Sequence, residues 1–316
     1  MKSLRGETLD VSSTPILLVG YNRPDKFVQL INSLRVSKPP KILVAIDGPK
    51  HGNFEDAERV LAVRASVSTI DWTDDIEIRE RQFNMGLRLA MIDGISWAVS
   101  KEGKVIVVED DVIVGPNFID FCTYYLNKFK SDRSIGQING WNQVPYEVSN
   151  SNDQDCRLSI YNTSYAWATW ADRWDLFDDK LEWGLEESLA RLSKITGSYR
   201  SAIQWRLNFK NANEFLVDSW SYRWLATMWS HQMWCVTPNR SLVTYDGHCG
   251  GTHTRTTKSH FQNEVDAGSL KELLGNSNYI KVDGQSEKWL RRQYFDDSLK
   301  GLLKTFGARY LLKIIK

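Results

Sequence analysis

Over the first 110 positions, short apolar runs alternate with stretches of helical period. Ile16-Leu17-Leu18-Val19 is wholly apolar and followed by turn residues, the pattern of a strand buried on both faces. Asn22-Arg23-Pro24 then opens a helix, because proline's fixed φ suits the first helical position. Phe27, Leu30, Ile31 and Leu34 recur at helical spacing, and Pro39-Pro40 ends the unit. Residues 42–46 form a second apolar run, which leads into the turn Asp47-Gly48-Pro49. The pattern continues with a helix over 54–66, a weaker strand over 76–78 and a helix over 84–99. Val105-Ile106-Val107-Val108 is the strongest buried strand, and it ends in Glu109-Asp110-Asp111.

Strands and helices in this alternation predict an α/β protein whose mostly parallel, Rossmann-like sheet is flanked by helices. Ligands of such sheets bind beyond the carboxyl ends of the strands. Tyr21-Asn22-Arg23, Asp47 and the acidic run all sit at such ends, so polar groups converge on one edge. The texture changes near Trp141. Residues 150–155 form a polar loop, and tryptophan-rich helices are predicted over 171–177, 186–195, 199–211 and 218–231. Of 13 tryptophans, ten lie between Trp141 and Trp234. Dense tryptophan fits a heavy core, and it also fits sugar binding on indole faces. The expected units are a flexible stretch 1–14, a nucleotide-binding half 15–140, a helical second lobe 141–262 and an extension 263–316. Residues 244–260, rich in Gly, Thr and His, read as a loop.

Composition narrows the classes. A hydrophobic fraction of 42% and a charged fraction of 25% are ordinary for a globular chain. The net charge of +1 gives no general attraction for nucleic acid. No apolar run approaches the ~18 residues of a membrane span. The polar start lacks the apolar core of a signal peptide, which points to the cytoplasm. Cys122, Cys156, Cys235 and Cys249 are scattered, as free thiols are. The segment 298–316 carries Lys300, Lys304, Arg309, Lys313 and Lys316 with no acid, beside leucines at helical spacing. Such a basic amphipathic helix suits an anionic membrane surface or an apolar face docked on the body.

Adjacent acids at the end of a buried strand repel, and a divalent cation such as Mg²⁺ or Mn²⁺ offsets that cost. The plain alternative is an acidic turn before Pro116-Asn117. Asp47 suits a base N–H or ribose hydroxyl, or merely its turn. Arg23 suits a phosphate, or is a solvated residue before a helix. Asp218 either caps the helix that follows or, partly buried among Trp220, Trp224 and Trp229, acts as a base. His248, Cys249 and His253 lack a second ligand pair at zinc-finger spacing, so a loop closing over phosphate fits them better. GxxxxGK[ST], GxGxxG after the first strand and GxSxG are all absent.

With these residues in place the chain resembles the GT-A glycosyltransferases, and within them the N-acetylglucosaminyltransferase I type. The likeness runs through 15–23, Ile46-Asp47-Gly48, 107–118, Gly140-Trp141-Asn142, 167–170, Asp218-Ser219-Trp220 and 238–241, and so spans roughly residues 15–255. It implies an inverting, metal-dependent transfer from a nucleotide sugar, UDP-linked by preference, to a glycan or lipid-linked saccharide. Asp111 would hold Mn²⁺ or Mg²⁺. Tyr21, Arg23, Asp47, Asn84, Glu109, Asp110 and His253 would meet the donor, and Asp218 would be the catalytic base. The family has two acids before that Trp; here Ser219 replaces one. Without the N-terminal anchor of the family's animal members, and with its basic C-terminal helix, the chain suits a bacterial cytoplasmic enzyme elongating a lipid-linked glycan at the inner membrane face. Two other classes stay in view. One is a nucleotidyltransferase, which wants a basic Gly-rich loop where only Gly20-Tyr-Asn-Arg23 stands. The other is a non-catalytic carbohydrate-binding protein.

Overall fold

The computed structural model describes residues 3–4, 7–8, 14–149, 155–245 and 280–315, with side chains for 14–149, 155–245 and 280–307. The apolar runs form β1 (Ile16–Gly20), β2 (Ile42–Ile46), β3 (Ile76–Glu80) and β4 (Lys104–Glu109). They lie in the order β3-β2-β1-β4, every pair parallel. Alternate residues feed two cores. Leu18, Val44 and Val108 enter one; Leu17, Leu43 and Val107 enter the other. Because both faces are covered, β1, β2 and the Val105–Val108 run of β4 are apolar rather than alternating, whereas the edge strand β3 alternates Ile76 and Ile78 with charged residues.

Helices α1 (Pro24–Leu34) and α2 (Phe54–Ser66) cover the first face. Helix α3 (Leu87–Glu102) covers the second. It begins later than the 84–99 pattern predicts. Gly86 adopts φ +78, and Asn84 and Met85 are drawn off to Asp47 by hydrogen bonds of 2.8 and 2.9 Å.

Further on come β5 (Val112–Val114), α4 (Phe118–Lys128), β6 (Ile135–Asn139), β7 (Cys156–Ser159) and β8 (Ala166–Trp170). They are followed by α5 (Leu189–Thr196), α6 (Tyr199–Asn213), α7 (Trp220–Ser230), β9 (Trp234–Pro238), β10 (Val243–Tyr245) and α8 (Leu299–Ile315). The eight-stranded sheet has the order β3-β2-β1-β4-β8-β6-β9-β7. Strand β8 runs antiparallel to both β4 and β6, so the sheet is parallel in its first half and mixed beyond. The 140/141 boundary therefore falls inside one continuous sheet. The helix predicted over 171–177 closes at Trp174, and that over 186–195 starts at Leu189 after Ser188, whose hydroxyl accepts from the Arg191 N–H. Most of the polar loop 150–155 lies outside the described residues.

The tryptophans are core. Eight of the ten between Trp141 and Trp234 are buried, with Trp183 and Trp234 partly exposed. Trp167 stacks on Trp220 at 5.4 Å, and Trp205 meets Trp229 edge-on at 5.3 Å. Sugar stacking on these indoles loses its basis. Cys122, Cys156 and Cys235 are free and buried, and Cys249 lies outside the described residues.

One glycine sets the wall of the future site. A Cβ on Gly48 would lie 2.4 Å from the backbone nitrogen of Phe83, and backbone cannot rotate aside. Gly48→Ala is expected to lower stability by about 1–3 kcal/mol, seen as a lower urea midpoint at unchanged m. An unchanged midpoint would mean that the 83–86 segment is free to move off the strand end.

Candidate active site at the strand switch point

The chain builds β1, β2 and β3 in one direction and then returns to place β4 on the other side of β1. At such a reversal the flanking loops part and leave a crevice. Here a cavity of about 480 Å³ opens, lined by the ends of β1, β2 and β4, the start of α3 and Asp218.

Each wall is tied down by a carboxylate. Behind the β1 end, Tyr21 Oη and Asn22 Nδ2 both donate to Asp56 of α2 at 2.6 Å. The Lys50 backbone N–H joins them at 2.7 Å. Burial works against the Asp56 charge, but the bonds from Tyr21, Lys50 and Asn22 prevail and hold its carboxyl below the usual range. Burial and then the Asp56 charge push the Tyr21 phenol upward. Sequence reasoning missed Asp56, because an acid in a helix's first turn is ordinary. Asp47, at the β2 end, accepts from Gly48 N, Asn84 Nδ2 and Met85 N at 2.8, 2.8 and 2.9 Å. Burial raises its pKa against those donors. Asp47 and Asn84 thus meet each other as well as the cavity.

At the switch point itself, Arg23 reaches across from β1 to the acids that follow β4. Its Nε donates to Asp110 Oδ2 at 3.2 Å and its Nη1 to Asp111 Oδ2 at 2.9 Å, while Nη2 pairs with Asp110 Oδ1. Burial opposes the charge on Arg23, but Asp110 and Asp111 hold it more firmly protonated. One guanidinium faces three carboxyls, and the balance is incomplete. Burial, then Asp111 and Asp110, push Glu109 well above the usual carboxylate range. Asp110 is pushed up to about 6 by burial, which outweighs Arg23. Asp111 Oδ1 is buried without a hydrogen-bond partner.

Asp218 also lines the cavity, beside Gly86. Ser219, not Asp218, caps α7, accepting from the Tyr222 N–H at 3.2 Å. The Asp218 side chain is 48% exposed rather than sunk among indoles, because Trp220, Trp224 and Trp229 turn into the core. Arg88 Nε grips its Oδ1 at 3.2 Å, leaving Oδ2 on the side of Gly86. Arg88 also holds Asp179 at 2.6 Å, and Arg223 holds Asp179 Oδ1 at 3.0 Å. Arg223 further donates to the carbonyls of Ser219 and Ala212 at 2.8 and 2.9 Å. Phe215 lies 5.3 and 5.7 Å from the two guanidiniums. The loop carrying Asp218 is thus clamped at both ends and beneath. Arg88, Asp179 and Arg223 went unread, since nothing in a linear pattern joins residues so far apart.

The structure brings Tyr21, Arg23, Asp47, Asn84, Glu109, Asp110 and Asp218 to the cavity wall, with Asp111 behind Arg23. Lys50 and Arg59 add cations to the wall that were not expected. His253 lies outside the described residues, as does most of the loop predicted over 244–260. The chain is described as far as Tyr245, which pairs with Val112 beside the acidic run. Thr244 and Tyr245 belong to β10 rather than to a loop.

An orphaned carboxylate oxygen beside two reluctant acids fits a hard cation. Among the described residues no three His, Cys, Asp or Glu side chains form a ready metal cage. The run offers one or two carboxylates, the number that suits Mg²⁺ or Mn²⁺ when water and phosphate complete the shell.

No protein-family model matches the chain, and no curated protein matches it. Among solved structures it is similar to the mannosyltransferase PcManGT from Pyrobaculum calidifontis, in complex with GDP-Man and Mn²⁺. That likeness has 12% identity and a TM-score of 0.39 and covers 71% of this chain and 73% of that one. At this level it assigns neither substrate nor residue roles, and the pocket's own chemistry has to.

Two outcomes follow from this geometry. Arg88→Met should cost about 1–2 kcal/mol in denaturant unfolding, with Arg88→Lys intermediate. The loss stays modest because Asp179 and Asp218 are about half exposed and regain water. A silent Arg88→Met would mean the clamp bears no load. Asp110 has a folded pKa above its unfolded one, so folding favours its neutral form. Its contribution is complete below pH 3.8 and is lost as pH rises through about 6. Stability measured across that window should therefore fall with pH in the wild type and fall less steeply in Asp110→Asn.

Proposed function

We propose that this protein is a glycosyltransferase of the GT-A type. In this reading it moves a sugar from a nucleoside diphosphate sugar, UDP-linked by preference, to a hydroxyl of a glycan or lipid-linked saccharide. The carrying observation is that Asp218, Arg23, Glu109 and Asp110 line one cavity at the strand switch point, with Asp111 bonded to Arg23 behind its wall. A displacement needs a leaving-group side and an attacking side, which the acidic run and Asp218 would supply.

In this reading Asp47 and Asn84 receive the base, and Glu109 and Asp110 meet the ribose and donor sugar. Arg23, Lys50 and Arg59 draw the diphosphate in by charge. Asp111, with Asp110 beside it, would hold Mn²⁺ or Mg²⁺, which when bound offsets charge growing on the departing diphosphate. Asp218 takes the proton of the acceptor hydroxyl at Oδ2. The acceptor oxygen then bonds to the anomeric carbon as the carbon's bond to the diphosphate oxygen breaks. The nucleoside diphosphate leaves, and attack from the Asp218 side inverts the centre. Arg88 holds Asp218 Oδ1, which keeps the carboxylate aimed. His253 would act on the diphosphate.

A panel of nucleotide sugars assayed with Mn²⁺ tests this. Asp111→Ala should lose metal-dependent donor binding. Asp218→Asn should bind donor as the wild type does and lose transfer by about 10²-fold or more. If both variants turn over normally, the proposal is wrong. Sugar binding that needs neither nucleotide nor metal would instead support a carbohydrate-binding protein.

A further inference from the structure

Among the described side chains of helix α8, those of 299–307, one part is buried on the body and another is exposed. Ser298 receives the Gly301 N–H at 3.1 Å and so starts the helix. Gly301 and Leu302 are buried, and the helix packs on α6. A Cβ at Gly301 would collide with the Asp296 carbonyl, so the contact is close. Next to that buried side the helix carries Leu299, Leu303 and Phe306, exposed by 64%, 63% and 48%. Their spacing of four and then three places them in one line along the helix. Lys300 and Lys304, both exposed, border that line.

An apolar stripe edged by cations asks for a surface that is apolar within and negative at its rim. The acids nearest the helix start are already engaged: Asp297 pairs with Arg291 at 3.1 Å, and Asp296 accepts from Ser298 at 2.5 Å. From Ser298 to Lys316 the sequence carries five basic residues and no acid. Two copies packed stripe to stripe would bring like charges together, which disfavours self-association. No helix of the described residues is long and apolar enough to cross a membrane.

We propose that α8 is a membrane-surface helix that seats Leu299, Leu303 and Phe306 in an anionic bilayer while Lys300 and Lys304 meet its headgroups. The helix lies in the interface plane, and its buried side keeps the body attached. An acceptor anchored in lipid would then be reached by sliding in two dimensions. The binding itself needs no nucleotide, sugar or metal, so it stands apart from the transferase reading.

The test is co-sedimentation of the full chain with phosphatidylcholine vesicles, with and without added phosphatidylglycerol. The wild type should pellet with the anionic vesicles only, and high salt should weaken the association. Leu303→Asn with Phe306→Asn should abolish it. Lys300→Gln with Lys304→Gln should lower the partition coefficient by roughly tenfold or more. These side chains are exposed, and unchanged thermal unfolding would show that the variants still fold. Failure of the wild type to bind, or binding that the Asn pair leaves intact, overturns the proposal. So does an oligomer that forms without lipid and is dissolved by the Asn pair, since the stripe then belongs to a second copy.

Discussion

Arg23 is the piece on which the site depends. It follows the first strand, and the acids it holds follow the fourth; they meet only because the sheet places those strands side by side. Buried carboxyls this close repel each other, and without a counter-charge they would have to stay protonated. Arg23 takes up part of that repulsion from Asp110 and Asp111, and Glu109 and Asp111 Oδ1 remain uncompensated. The switch point therefore holds more acid than one guanidinium can balance.

The acids around the cavity divide into two kinds. Asp56 and Asp179 spend their oxygens on fixing loops: Asp56 binds the turns after two strands, and Asp179 is shared by two arginines. Asp111 and Asp218 each use one oxygen and leave another for something else. Such a division lets a site made of loops behave as a rigid one, since each loop is anchored by charge-assisted bonds behind the working face.

The tryptophan-rich half serves the same end. Six of its indoles fill one face of the sheet, so α7 and Asp218 just before it sit on packed core. Surplus apolar area shows instead on α8, where a line of leucine and phenylalanine stays outside.

Much of this was legible in the residue pattern. The runs at Ile16, Ile42 and Val105 had to be buried strands, because continuous apolar residues with β-branching suit no half-exposed element. Their carboxyl ends then located Arg23, Asp47 and Glu109-Asp110-Asp111 on one edge. Tryptophan density gave no way to choose between core and sugar platform, because only contacts distinguish a packed indole from an open one. The role of Ser219 was equally hidden: Asp218 and Ser219 are both good caps, and the turn geometry selects one. Arg88, Asp179, Arg223 and Asp56 act through partners distant in sequence, and side-chain pairing over such spans has no period to read. The sequence by itself determined the first four strands, the helices between them and which acids lie at those strand ends, since burial and periodicity are local properties; the strands after Glu109 and helix α4 were not read from it. Tertiary structure alone decided which charges face one another, because strand order and loop closure set those distances.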